Sequence, residues 1–310
     1  MRPGLGVWLG RRLRVRPAAI AAAGVAVGLA ATSFAAQLPP AAPPLVEIHA
    51  TASARFAPSV PGVAFALIVG NDYRPGVSGK RADALHLVAL NAKAGAATVL
   101  NIPRDTWVNI PGRGNNRINV AHTFGGPALQ AAAVEGLTGI RPDVTIVTDF
   151  AGFVGLVNAL GGVSVDIAEA HSDAASEAFF SPGRQHLSGK QALALSRNRH
   201  LPGGDFTRTA NQGRIIVAGL AELRAKGRSL ADVARYLTVL LSYTTVDGMD
   251  PVELFHLGRA AMAVDPAKVT EVTMPGRVGQ AGTASVVLPT AAAAPLFADI
   301  ADDGLVNQSS

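Results

Sequence analysis

The chain has 310 residues, 49% hydrophobic and 16% charged, with no cysteine and a formal net charge of +5. That length suffices for a sizeable core in one large domain, and the missing cysteines exclude disulfides, thiol catalysis and thiolate metal sites. The positive charge does not signal a nucleic-acid face: Arg2, Arg11, Arg12, Arg14 and Arg16 all precede the first acid, Glu47, and without those five charges the remainder is neutral.

The basic tail, 1–17, runs into an uncharged Ala/Val/Gly/Leu stretch, 18–36. A spanning helix needs about 20 apolar residues, and the positive-inside bias holds the arginines in the cytoplasm, so this stretch is expected to be a transmembrane signal-anchor with the bulk of the chain outside. Ser33-Phe34-Ala35 approximates a small-x-small cleavage pattern, so a cleaved signal peptide is the alternative; both readings export the domain. Residues 37–62 hold Pro39, Pro40, Pro43, Pro44, Pro58 and Pro61 among alanines, a composition that favours an extended stalk.

From 63 to 303 the pattern is that of a single α/β (α+β) domain. Ala64 to Val69, Ala84 to Leu90, Ala97 to Ile102, Val144 to Thr148 and Val163 to Ile167 are short Val/Ile/Leu-rich runs bounded by Gly, Asn or Pro, as expected of strands covered on both faces. Pro127 after Gly126 opens a helix over Ala128 to Leu137, stopped at Gly139; Phe153 to Leu160 is a second, stopped at Gly161-Gly162. Ser188-Gly189-Lys190-Gln191 fits a capping box opening the helix that carries Arg197. Asp205 or Thr207 is the expected cap of the next helix, and Asp250-Pro251-Val252-Glu253 opens another over Leu254 to Met262. The last strands are expected at Val269 to Met274 and Ser285 to Leu288.

Arginine and aspartate stand at the ends of these runs. Asp72 and Arg74 follow the first strand, Asp83 precedes the second, Arg104 and Asp105 follow the third, and Arg117 comes next. Ligands gather outside strand ends in α/β sheets, so these segments are expected to share a crevice. Arg197 and Arg199 lie near one helix end; Arg208 and Gln212, four apart, share a face of the next. Arginine forks suit phosphate oxygens and paired carboxylates suit a divalent cation, so the set reads as an anion site. The bland reading of any single arginine is a structural ion pair. Gly76 to Arg81 hints at a P-loop but lacks its first glycine and the Ser or Thr after Lys80; no H-E-x-x-H or G-x-S-x-G occurs. His86 is expected to be a core histidine, and His200 sits where it could assist.

Leu67-Ile68-Val69-Gly70-Asn71-Asp72-Tyr73-Arg74, Arg81-Ala82-Asp83, Ile102-Pro103-Arg104-Asp105-Thr106, Arg117-Ile118-Asn119, Leu187-Ser188-Gly189-Lys190-Gln191, Arg197-Asn198-Arg199-His200 and Asp205-Phe206-Thr207-Arg208 follow one another in the order of the LytR-CpsA-Psr family, which the chain resembles strongly over about 63–224 and weakly to about 300. The resemblance implies a central mixed sheet flanked by helices. It also implies an extracytoplasmic phosphotransferase that moves a glycopolymer from a polyprenyl-pyrophosphate carrier to peptidoglycan at the membrane, leaving a phosphodiester link. By matching positions, Asp72 and Asp83 would hold Mg2+; Arg74, Arg104, Arg199, Arg208 and Gln212 would bind the pyrophosphate, the four arginines as catalytic groups, with Arg197 and Arg117 as second choices. The general base is unassigned; Asp105 stands next to Arg104, where a structural ion pair is its expected role. The chain departs from the family in Ala82 and Ala84, where serine and threonine are usual, and in Asn211, where arginine is frequent. The alanine-rich, arginine-favouring composition suits a high-GC actinobacterium and makes arabinogalactan the expected glycopolymer. The alternatives are a carrier-binding module without turnover and a membrane-linked transcriptional regulator. The latter is opposed by the absence of a basic recognition helix and by the anchor, which places the domain away from DNA.

Overall fold

The computed structural model describes residues 46–50, 60, 62–73, 81–227, 229–242, 244–247 and 251–307. The expected basic tail and signal-anchor, together with Arg74, the Gly76–Lys80 segment and Asp250, lie outside the described residues. In chain order the elements are β1 (Val46–Ala50), β2 (Val63–Asn71), β3 (Ala82–Asn91), β4 (Ala96–Asn101), β5 (Trp107–Ile110), β6 (Gly114–Arg117), α1 (Val120–Thr138), β7 (Val144–Thr148), α2 (Phe150–Ala159), β8 (Val163–Ile167), β9 (His171–Asp173), β10 (Ala178–Phe180), β11 (Gly183–Leu187), α3 (Gly189–Arg197), α4 (Asp205–Ala225), α5 (Leu230–Ser242), β12 (Thr244–Asp247), α6 (Pro251–Ala263), β13 (Val269–Thr273), β14 (Gly276–Ala281), β15 (Ala284–Pro289) and α7 (Ala293–Asp303).

Seven strands form a central mixed sheet in the order β12-β1-β7-β2-β3-β4-β13. Pairs β2–β3 and β3–β4 are antiparallel; β2–β7 and β4–β13 are parallel. Strand β1, inside the segment expected as a stalk, pairs with β7 and β12, so the domain takes in residues well before 63. Alternation along β2 and β3 divides the core. Val63, Phe65, Leu67, Val69, Leu85 and Leu87 join α1 and α7 on one face. Ala64, Ala66, Val88, Leu90, Ala97 and Val99 meet Leu254 and Leu257 of α6 and Ile216 of α4 on the other. Because both faces are covered, the strands read as nearly unbroken apolar runs.

Local chemistry explains most element ends. The Asp149 carboxylate accepts from the Gly152 N–H at 2.8 Å and caps α2. Ser188 and Gln191 make the expected capping box. Helix α1 starts at Val120, earlier than expected; Gly126, at φ 64° and ψ −157°, breaks it, and Pro127 resumes it without an N–H to satisfy. Neither Asp205 nor Thr207 is the cap of α4: Gly204 holds that position, and Asp205 falls in the first turn, where its carboxylate is free for the arginines.

Candidate functional site

Strands β2 and β3 carry the first acids at one end. The Asp72 N–H donates to the Arg81 carbonyl at 3.2 Å, and the Asp72 carboxylate accepts the Arg81 N–H at 3.0 Å. One pair further in, register slips: Gly70 faces Ala84 but Asn71 faces Ala82, which leaves Asp83 as the extra residue of a bulge. Ala82 therefore takes the core position that strict alternation from Leu85 would have given to Asp83, and the carboxylate turns with Ala84 and His86 towards a cleft of about 420 Å3.

Helices α3 and α4 supply the opposite wall. Arg197, Arg199, Arg208 and Gln212 line the cleft with Asp83; Arg197 stacks over the Phe150 ring at 5.3 Å. Arg104 closes the network behind Asp83, to which it donates, and its Nε lies 3.9 Å from both Asp105 and Asp205. Asp205 then pairs with Arg208 at 2.7 Å. Although burial pulls Arg104 down, Asp83, Asp105 and Asp205 outweigh it and hold this guanidinium above its ordinary pKa. Arg208 is 2% exposed. Burial, with Arg104 and Arg199 as like charges, lowers it to about 10 against the pull of Asp205. Its Nε and Nη2 make no hydrogen bond of good geometry. A buried cation beside two others, with Nε unused and Nη2 held only by the Asp205 ion pair, calls for a further anion.

The remaining wall is apolar. Ile68, Phe150, Phe153, Leu193, Ile215 and Ile216 line the same cleft, so the guanidinium end continues into a surface suited to hydrocarbon.

Three expected residues, Arg104, Arg117 and Asp72, are not among those lining the cleft; Arg104 is taken up by its carboxylate partners behind Asp83. Arg117 lies on β6 and donates to the Ser285 carbonyl from Nε and Nη2 at 3.1 and 2.6 Å, with Asp105 3.6 Å away. Asp105 is thus shared by Arg104 and Arg117, an ion-pair role. Asp72 holds the Arg81 backbone, as above. Gln212 reaches the cleft, but its Nε2 donates to the Ser196 carbonyl at 2.9 Å, so the amide atom left unpartnered is the acceptor Oε1. Mg2+ needs oxygen donors and often takes only one or two carboxylates, with waters and substrate phosphates completing its shell. Among the described residues no group of three or more acids or histidines could hold a metal. Asp83, at the cleft, and Asp72, outside its lining, are oxygen donors of the kind such a shell takes.

Sequence reasoning missed the β9–β10 hairpin, which adds Asp173 and Ser176 to the cleft. Asp173 accepts from Ser176, from His200 at 2.9 Å and from the Ala175 N–H at 3.0 Å; chiefly the Ser176 hydroxyl, then the other two, hold its pKa down to about 2. A single aspartate in a short turn carries no pattern that would have flagged it. His86 is in a strand and buried as expected, yet it also lines the cleft.

The comparisons agree with this architecture. A model of the LytR_cpsA_psr family matches residues 51–296. The chain is 31% identical over 219 residues to the probable cell wall biosynthesis protein LcpB of Corynebacterium glutamicum, covering 66% of this chain and 53% of LcpB. It is 35% identical over 176 residues to the polyisoprenyl-teichoic acid–peptidoglycan teichoic acid transferase TagU of Bacillus mycoides, covering 56% of each. It spans about half the length of the curated relatives it matches. A LytR-Csp2A-Psr enzyme from Actinomyces oris superposes with a TM-score of 0.67 at 26% identity, covering 86% of this chain and 98% of that one. With a family model spanning most of its length and the same fold in a solved member, the chain belongs to the LytR-CpsA-Psr family.

Proposed function

We propose that this chain is a membrane-anchored, extracytoplasmic phosphotransferase that moves a glycopolymer from a polyprenyl-pyrophosphate carrier to peptidoglycan. The observation that carries the reading is Arg208, buried with Nε unused and Nη2 held only by Asp205, in a cleft lined both by arginines and by an apolar wall. A pyrophosphate with a prenyl tail matches both halves. The similarity to LcpB and TagU supports the same class, and the alanine-rich, arginine-favouring composition favours arabinogalactan as the glycopolymer.

Phosphoryl transfer is accelerated mainly by positioning and by neutralising charge on the phosphate oxygens. Arg208, Arg199 and Arg197 would take those oxygens, joined by Arg74, three residues beyond β2 in the sequence. Arg104 holds Asp83 in place and tunes Asp205, which in turn orients the Arg208 fork. Asp72 and Asp83 would hold Mg2+, which when bound supplies charge neutralisation at the phosphate oxygens. The apolar wall excludes water, so hydrolysis competes less with transfer to the sugar hydroxyl.

The test is direct. The full chain, supplied with Mg2+, a polyprenyl-pyrophosphate glycan and peptidoglycan, is expected to release polyprenyl phosphate and leave phosphodiester-linked glycan on the wall polymer. Tight binding of the carrier with no transfer from any glycan donor would instead establish a carrier-binding module.

A further inference from the structure

A row of polar side chains crosses the sheet beneath α4. Ile68 of β2 pairs with His86 of β3, His86 with Asn101 of β4, and Asn101 with Thr273 of β13. Asn101 donates from Nδ2 to Glu271 and, at 3.3 Å, to Thr273. Its Oδ1 is therefore the acceptor that faces His86 Nδ1 at 2.7 Å, which makes Nδ1 the protonated nitrogen of the ring. The row is built closely: a Cβ on Gly213 of α4 would come 2.2 Å from Asn101 Oδ1, so any side chain at that position would have to push Asn101 aside.

The consequence falls at the cleft. His86 is 1% exposed and lines the cleft; its Nε2 makes no hydrogen bond of good geometry, although the Gln212 side chain lies within hydrogen-bonding reach of the ring. With the proton fixed on Nδ1, Nε2 presents a lone pair. Gln212, 8% exposed and also lining the cleft, brings a second acceptor to the ring, Oε1, likewise without a bond of good geometry. Two buried acceptors beside Arg208 do not suit a phosphate oxygen. They suit the hydrogen-bond donor that must come to a phosphate, a hydroxyl.

We propose that His86 Nε2 is the catalytic acceptor of the proton from the hydroxyl that attacks the phosphorus, a role resting on the transferase reading above. As the hydroxyl oxygen bonds to the phosphorus of the glycan-linked phosphate, its proton passes to Nε2. The bridging P–O bond of the pyrophosphate breaks, and its electron pair leaves with polyprenyl phosphate. The imidazolium then returns the proton to that leaving phosphate, and the ring is neutral again. Burial, the largest cause, holds the free ring down to about 4; Asn101 and Gln212 favour the protonated form, and Arg208 opposes it. An anion seated on Arg208 removes that opposition, so the base strengthens as the carrier binds. The groups facing the ring from its neighbours are Asn101, Arg208 and Gln212, with Glu271 acting through Asn101.

Nitrogen NMR of the full chain labelled with 15N-histidine, the His86 signal assigned by its loss in His86→Ala, reads the proton directly. Nδ1 protonated and Nε2 bare at pH 7 is expected, with Nε2 protonating at higher pH once farnesyl pyrophosphate is added; a proton on Nε2 in the free chain overturns the proposal. In the transfer assay, His86→Ala is expected to lose about 100-fold or more in kcat. Its farnesyl pyrophosphate affinity should stay within about threefold, and added imidazole should restore part of the rate. Turnover within twofold of wild type, or a loss of affinity equal to the loss of rate, overturns it as well. If the wild-type chain transfers nothing, the transferase reading has failed and this assignment fails with it, whereas a silent His86→Ala beside an active wild type tests this assignment alone.

Discussion

A guanidinium at 2% exposure is costly unless something negative sits against it, and Arg208 has Asp205 in contact and the weaker pull of Asp83 against two like charges. Its depressed pKa means that the fold tolerates the charge instead of being held together by it. Arg208→Met combined with Asp205→Leu, which replaces the pair as a whole, is therefore expected to raise the stability of the ligand-free chain, by about 1 to 4 kcal/mol. The same change should abolish the rise in melting temperature that pyrophosphate gives wild type; a variant still stabilised by pyrophosphate would remove Arg208 from the anion site. Arg104 differs, because it is stabilised by three carboxylates. Arg104→Lys keeps the charge and loses the fork that spans Asp83, Asp105 and Asp205. Turnover should fall by about 10-fold or more while carrier affinity changes far less. Equal losses in both would make Arg104 a ground-state binder. The arginines and aspartates were legible because charge is scarce in this sequence. Arg117 misled for a physical reason: the Ser285 carbonyl that claims it is 168 positions away and leaves no mark near it.

Elements were legible where local rules decide them. Strands β7 and β8 fall where their apolar runs end, and the α3 capping box and the Gly139 stop are where sequence puts them. Strand β1 was not legible, because its place is set by pairing with β7 and β12 rather than by its proline-rich flanks. Close approaches between elements are equally silent in sequence, and two glycines measure them. A Cβ at Gly189 of α3 would sit 2.3 Å from the Val154 carbonyl oxygen of α2, whereas one at Gly213 would meet only the Asn101 side chain. Backbone yields less than a side chain, so Gly189→Ala is expected to destabilise more than Gly213→Ala, whose cost should be about 1 to 3 kcal/mol. Asn101→Ala combined with Gly213→Ala should recover part of that loss. Chemical denaturation of the three variants checks the order, and purely additive losses would deny the contact.

At the scale of the molecule, two buried titrations oppose each other across the sheet. The unfolded chain protonates His86 at its ordinary pKa of 6.5, the folded chain only at about 4, so this histidine's contribution is complete above 6.5 and is lost as pH falls towards 4. The loss is roughly 3 kcal/mol. Burial raises the Glu271 carboxyl, which has the opposite sign: its contribution is present at low pH and disappears as pH rises through its folded value. Melting curves from pH 7 to 4.5 are expected to fall more steeply for wild type than for His86→Leu; parallel curves would mean that the ring is not buried neutral. The anchor proposed for 18–36 is a separate matter. A reporter fused after residue 62 should work only in its extracytoplasmic form, and activity of the cytoplasmic form would reverse the topology.

The bulge at Asp83 makes the site's acid depend on a count rather than on an identity. Substituting Ala82 changes one side chain; deleting it removes the extra residue, restores strict alternation with β2, and would carry Asp83 into the apolar face occupied by Leu85 and Leu87. Relatives that diverge here can exchange Ala82 for another small apolar residue but cannot gain or lose one, so this position should tolerate replacement better than any change of length.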